Sequence, residues 1–128
     1  MKTDLETLAF DHAPIGLVYA ENRRIRRCNP RFAQMFGYRA EDLEGRSLSV
    51  LYPSMEEYRR IGDLGLHKMQ GTGQYEDERI MRRRDGAHFW CRVRGQSLDA
   101  DKPFARSVWS FADISEQRPI TEMTARER

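Results

Sequence analysis

The chain has 128 residues, of which 39% are hydrophobic and 33% charged, and its 22 basic and 20 acidic side chains give a formal net charge of +2. This size and balance are typical of one folded domain with a modest core and exclude a disordered tail. No apolar run reaches the ~18 residues of a membrane-spanning helix, and no secretory signal opens the chain. Its two cysteines do not form a Cys-x-x-Cys pair, so neither a zinc site nor a disulfide framework is indicated. We expect a soluble, cytoplasmic module without a membrane partner.

The first residues have the pattern of an amphipathic helix. Thr3 and Glu6 have the spacing of a capping box, and one helical face collects Leu5, Leu8, Ala9 and His12. The helix must end before Pro14, because the residue that precedes a proline disfavours the helical region. No cysteine and no cluster of carboxylates accompanies His12, which favours a helix-end residue over a metal ligand.

Two short strands are predicted next, over residues 15–20 and 25–28, with a polar turn at 21–24. Cys28, at the end of the second strand, has the character of a small buried hydrophobe. Basic residues are dense at 23–27 and again at 82–84. A nucleic-acid surface is one interpretation of these clusters, but the nearly balanced overall charge favours solvated strand ends. We therefore expect no direct contact with nucleic acid.

The segment 29–45 organises the rest of the chain. Asn29-Pro30 favours a turn that places proline at the first position of a helix, and Gly37 suits a left-handed cap at its end. Large apolar side chains at i, i+3 and i+4 predict that this short helix faces the core: Phe32, Met35 and Phe36. A second short helical turn, over residues 40–43, stops at Gly45.

A longer helix is predicted from the capping pair Ser54 and Glu57 to the glycines at 71 and 73. At about 100° per residue, one face of this helix carries Tyr58, Ile61, Gly65 and Met69. His67 falls roughly on the opposite side, so we expect it at the surface.

The C-terminal half has the pattern of a hairpin and a last strand. Strands over 74–83 and 87–96 flank Asp85-Gly86, a pair typical of a type I′ turn. Alternation places Phe89 on a core face and Trp90 on the other face, among charged side chains that would pack on a flanking helix or a second subunit. The last strand is predicted over 104–113, with Trp109 and Phe111 on one face and Phe104 on the opposite face.

Three motifs in order resemble the PAS sensory-domain family: the segment 29–45, the arginine-rich Asp-Gly turn at 82–86, and Asp113-Ile114-Ser115-Glu116. The resemblance implies an α+β fold, in which short helices cross one face of a five-stranded antiparallel sheet and a flanking helix precedes it. It also implies three parts: a flanking helix at 1–12, the PAS domain at 13–116, and a linker with the start of a downstream domain at 117–128. Members of this family sense small molecules or dimerise.

The resemblance places a ligand cavity under the longer helix, and six residues are predicted to line it: Phe36, Tyr58, Ile61, Met69, Phe89 and Trp109. The cofactor stays unknown. LOV photoreceptors carry a flavin-reactive cysteine near residues 46–53, where this chain has none. The axial histidine of haem-binding relatives has no good counterpart, because His67 faces away from the cavity. No nucleophile–base pair, phosphate loop or metal motif is present, so we expect neither catalysis nor a metal site.

In PAS domains the last motif carries the signal out, which assigns that role to Asp113 and Ser115. Pro119 would interrupt a helix capped by Ser115, so we expect a kinked linker. The final residues 123–128 resemble the opening of a LuxR-type helix-turn-helix domain, which implies a transcription regulator. We expect a sensory homodimer that binds a small molecule; the alternative is a ligand-free interaction module of a sensor kinase or diguanylate cyclase.

Overall fold

An antiparallel sheet of five strands, in the order β2-β1-β5-β4-β3, carries the fold. The structure is a computed structural model, and it describes residues 4–120. The strands are β1 (Gly16–Glu21), β2 (Arg24–Cys28), β3 (Gln74–Arg82), β4 (His88–Ser97) and β5 (Ser107–Asp113). The helices are α1 (Leu5–His12), α2 (Pro30–Phe36), α3 (Ala40–Leu43) and α4 (Met55–Met69), with a 3₁₀ turn at Leu48–Leu51. This arrangement confirms the predicted α+β fold.

Two of the internal helices, α2 and α4, start where the sequence predicts. The Asn29 side chain accepts from Phe32 N at 3.0 Å at the start of α2, and the Ser54 hydroxyl accepts from Glu57 N at 3.0 Å at the start of α4. Gly37 ends α2 with φ at +83°, a left-handed conformation that suits glycine. The apolar face of α2 is then held against the sheet, and Phe32 and Phe36 are fully buried.

The N-terminal cap of the flanking helix α1 is Asp4, one residue after the predicted cap Thr3. The Asp4 side chain accepts from Glu6 N at 3.2 Å, whereas Thr3 lies outside the described residues. None of the eight residues of α1 is buried. The helix lies beside α2, and the Arg27 guanidinium stands 4.5 Å from the centre of the Phe10 ring.

The prediction of a type I′ turn at Asp85-Gly86 is wrong. Only Gly86 has a positive φ there, and its N–H donates to the Arg83 carbonyl at 2.9 Å, so the β3–β4 connection is a longer loop. Two successive positive φ values, as type I′ requires, occur instead between β1 and β2, at Asn22 (+52°) and Arg23 (+63°). Local composition pointed to Asp-Gly, whereas the β1–β2 turn is held from a distant segment, since Leu48 N donates to the Arg23 carbonyl at 2.9 Å.

The predicted start of the last strand is also wrong, since β5 begins at Ser107 rather than at Phe104. Hydrogen-bonded turns curl the chain over residues 99–105, and the Phe104 ring centre lies 6.4 Å from that of Trp109. Phe104 therefore packs on the same side of the sheet as Trp109, not on the opposite side.

The opposite face of the sheet carries Trp90 among charged pairs, as predicted, yet this ring is only 8% exposed. The Arg118 guanidinium lies 3.2 Å from the ring centre and donates to Glu78 at 3.2 Å. The segment that leaves β5 thus folds back and covers part of this face.

Candidate functional site

A small, mostly enclosed cavity lies between α4 and the core face of the sheet. Its volume is about 20 Å³, and a water molecule needs at least about 10–15 Å³. Its lining mixes aromatic, aliphatic and basic side chains: Arg23, Leu48, Tyr52, Ile61, Gly65, Tyr75, Arg79, Phe104, Trp109 and Phe111. The cavity therefore has room for one very small guest and has both polar and apolar walls.

Two of the six predicted site residues, Ile61 and Trp109, line this cavity. Tyr58 stands beside it, with its ring centre 5.2 Å from that of Tyr52 and 3.7 Å from the Arg23 guanidinium. One face of α4 supplies Tyr58 and Ile61, and β5 supplies Trp109.

The other predicted site residues lie outside the cavity lining. Met69 is fully buried in the core. Phe36 and Phe89 belong to a separate aromatic cluster, with ring centres 5.4 Å apart. Phe111 joins the two regions, because it lines the cavity and its ring centre lies 6.1 Å from that of Phe36.

Arg79 supplies a buried charge that the sequence analysis missed. Its side chain is 5% exposed, its Nε donates to Asp77 at 2.9 Å and its Nη1 donates to the Tyr52 hydroxyl at 2.6 Å. Burial works against the charge of Arg79, but Tyr52 and Asp77 more than offset it, so its pKa lies above the ordinary value. Burial raises the pKa of Tyr75, whose hydroxyl donates to Asp77 at 2.5 Å.

A signal for this burial was present in the strand itself. Tyr75 and Met81 alternate in phase with Arg79, and β4 places Cys91 opposite Arg79 on the core face. The alternating charges of β3 obscured that phase, because arginine is rarely buried without partners.

Arg23 closes the cavity from the β1–β2 turn. Its Nη2 donates to the Tyr52 hydroxyl at 3.2 Å, and its guanidinium stacks on Tyr58. Gly62 on α4 makes room for it, since a Cβ at that position would lie 2.1 Å from Nη1 of Arg23. Arg23 comes from a turn far away in the sequence, and no local pattern indicated its position.

Asp113 and Ser115, the two residues predicted to relay the signal, lie together at the end of β5. One Asp113 oxygen accepts from Ser115 N at 2.9 Å and also from the Ser115 hydroxyl. Burial alone would raise the pKa of Asp113, but bonds from Ser115 and Arg83 outweigh it and lower the pKa. Residues 115–117 form a turn rather than the helix considered for Ser115.

A family model described as PAS domain matches residues 13–116. The chain belongs to the PAS domain family. A PAS domain of a LuxR-family transcriptional regulator from Burkholderia thailandensis, solved in complex with ethanol, is 47% identical. The match covers 88% of this chain and 99% of that one, with a TM-score of 0.84.

Other relatives extend this assignment. The sensor protein TdiS of Thauera aromatica is 38% identical over 109 residues, which are 85% of this chain and 20% of that protein. This PAS domain therefore spans about a fifth of that relative's length. A PAS domain from Colwellia psychrerythraea, 18% identical, matches in fold alone, with a TM-score of 0.77 over 87% of this chain and 95% of that one.

Over residues 4–120, no group of three or more histidine, cysteine or acidic side chains is placed to hold a metal ion. Within that range, no helix has the length and apolarity to cross a bilayer. His67 is exposed, as its helical position predicts. Burial raises the pKa of Cys28 to about 11 and that of Cys91 to about 12. The LuxR-like residues 123–128 lie outside the described part of the chain.

Proposed function

We propose that this PAS domain is a cytoplasmic sensor rather than an enzyme, that it binds a small molecule in the cavity, and that it relays the change to a C-terminal effector. The observation that carries the proposal is the cavity itself, because it is walled by side chains of β5, the strand that ends at the exit. The related Burkholderia domain, which comes from a LuxR-family regulator and holds ethanol, supports a small guest and a DNA-binding effector.

The proposed binding residues divide by position. Ile61 and Trp109 contact the guest directly, and Tyr58 acts through the Arg23 guanidinium that it holds. The other three predicted residues, Phe36, Met69 and Phe89, support these walls as core packing. Guest affinity then depends on the first group more than on the second.

The proposed relay passes along β5. A guest that moves Trp109 or Phe111 moves the strand that ends at Asp113. The Asp113 carboxylate accepts hydrogen bonds from both Arg83 and Ser115. Such coupling is worth a few kcal/mol at most, since it only shifts the balance between two arrangements of the exit.

The test combines native mass spectrometry with hydrogen exchange, using ethanol as the probe. We expect one ethanol per chain and a change in exchange over residues 113–118. The Arg83→Gln variant should bind ethanol equally but lose the change at the exit, whereas Arg59→Gln, at an exposed position on α4, should behave as wild type. Binding without any change at the exit in the wild type would contradict the relay.

A ligand-free dimerisation module is the second candidate, because α1 presents apolar side chains to solvent. Leu5 is 80% exposed and Leu8 41% exposed on the predicted apolar face. We propose that a second copy of the chain covers this face. Sedimentation should then show a dimer that Leu8→Glu breaks and that Leu66→Glu, at a 40% exposed position on α4, leaves intact. This candidate would be favoured by a dimer that is purified without a guest and does not bind added ethanol.

A further inference from the structure

We infer that the cavity recognises a small monocarboxylate, held by Arg23, Arg79 and Tyr52 with its short alkyl part against the aromatic wall. This inference rests on the proposed function, because it names the chemical class of the interior guest. Three observations support it: an excess of positive charge at the cavity, hydrogen-bond donors that converge on Tyr52, and an apolar lining on the other side.

The charges around the cavity do not cancel. Arg23 and Arg79 both reach it, and Asp77 is the one carboxylate bonded to either of them among residues 4–120. Asp77 already accepts from Arg79 and from Tyr75. Glu57, whose charge also interacts with that of Arg79, is paired with Arg60 at 2.7 Å. A guest with one negative charge would neutralise the excess.

Hydrogen-bond donors converge where that charge is missing. The Tyr52 hydroxyl accepts from Arg79 at 2.6 Å and from Arg23 at 3.2 Å, so one neutral oxygen serves two cations. Its own proton is donated to no acceptor within the described residues. Two guanidiniums and a hydroxyl are the donor set that a carboxylate binds best, because such bonds are charge-assisted and guanidinium matches a carboxylate's shape.

The rest of the lining selects for size and for an apolar tail. Ile61, Phe104 and Trp109 line the other side of a space of about 20 Å³. Phosphate and sulfate carry oxygens on every side and would find no polar partner on that wall. Acetate is larger than this space, so its entry requires the guanidinium of Arg23 to shift outward while it still donates to the carboxylate. Arg23 is half-buried, and its backbone carbonyl accepts from Leu48 N at 2.9 Å, so this side-chain movement leaves the backbone in place.

The test is an NMR titration that follows the Nε–H signals of Arg23, Arg79 and Trp109 as sodium acetate is added. Sodium chloride at equal ionic strength and neutral acetamide are the comparison solutes. We expect saturable shifts with acetate only. Arg23→Gln and Tyr52→Phe should each weaken acetate binding about tenfold, the effect of one charge-assisted bond. Gly62→Ala should do the same by displacing Arg23, and Arg59→Gln should bind as wild type.

The outcomes separate this inference from the proposed function. If acetamide or ethanol binds as well as acetate and Arg23→Gln changes nothing, the carboxylate inference is wrong while an interior guest stands. If chloride matches acetate, the site takes an inorganic anion and the inference is wrong. If none of these solutes shifts a signal, the inference fails, and native mass spectrometry decides separately whether any guest is retained.

Discussion

Arg83, which follows β3, is bonded to Asp113 at the end of β5, with Nη2 donating to the carboxylate at 2.9 Å. The other end of the same guanidinium, Nη1, donates to the Met35 carbonyl at 2.5 Å, and its centre lies 3.9 Å from that of the Phe89 ring. One side chain thus connects the end of α2, the aromatic cluster and the exit of the domain. The aromatic cluster and Asp113 therefore share one direct contact partner.

Replacing Arg83 by glutamine should lower the free energy of unfolding at pH 7 by about 1 kcal/mol, since the pair is partly exposed and solvent weakens it. The side chains of Arg83 and Asp113 are 28% and 32% exposed. The folded pKa of Asp113 is lowered from 3.8, so its contribution is present above that value and is lost as the pH falls through the lowered pKa. Urea unfolding should therefore show a smaller gap between wild type and variant at about pH 2. An equal gap at both pH values would show that the ion pair contributes nothing.

Gly65→Ala should stabilise the domain by about 1 kcal/mol, because alanine favours a helix more than glycine does. Its Cβ would meet the Phe104 ring at 3.4 Å, an ordinary contact, and would fill the cavity. Thermal unfolding should show the gain, and guest binding should weaken. Gly95→Ala is the contrasting variant: its Cβ would lie 2.3 Å from the Trp109 ring, so a loss of about 1–3 kcal/mol is expected from overpacking. A loss of stability in Gly65→Ala would mean that the space is already filled.

Asp77→Asn should lower the free energy of unfolding by about 3 kcal/mol, because it leaves the buried charge of Arg79 without its partner. The Asp77 side chain is 17% exposed, which favours the lower end of the usual range. The double variant with Arg79→Met should recover much of that loss, which a urea double-mutant cycle measures. The exposed pair of Arg94 and Glu76 is the control, and Arg94→Gln should change stability by about 0.5 kcal/mol or less. Additive losses in the cycle would contradict the coupling.

Asn29 is fully buried and uses its whole amide. Its oxygen accepts from Leu17 N at 2.9 Å and from Phe32 N at 3.0 Å, and its nitrogen donates to the carbonyls of Phe10 at 2.9 Å and Ile15 at 3.0 Å. One side chain therefore joins α1, β1 and α2.

Asn29→Asp should cost about 3 kcal/mol or more at pH 7, because a carboxylate oxygen would face two carbonyl oxygens. A carboxyl group in that position has a raised folded pKa, so the deficit should shrink as the pH falls below it and the group is protonated. Chemical unfolding between pH 4 and 8 would measure this trend. Asn22→Asp, in the exposed β1–β2 turn, is the matched control and should be nearly neutral. A deficit that does not change with pH would point to packing instead.

Local signals in the sequence determined the elements. The Asn29 cap, the left-handed Gly37 and the Ser54 cap each depend on residues within one helical turn, so they were predictable and are confirmed. Period-two alternation likewise placed Phe89 on the core face and Trp90 on the other. The five-stranded antiparallel sheet followed from the family resemblance, which those same local motifs carried.

Only the tertiary structure decided the contents of the interior. Arg23, Tyr52 and Arg79 lie 27 or more positions apart in the chain and meet because the 3₁₀ turn and α4 pack against β3. A charged side chain in a turn or a strand is typical of the surface, since burial costs free energy unless partners arrive from elsewhere. Those partners are set by packing between distant elements, which no window of neighbouring residues contains.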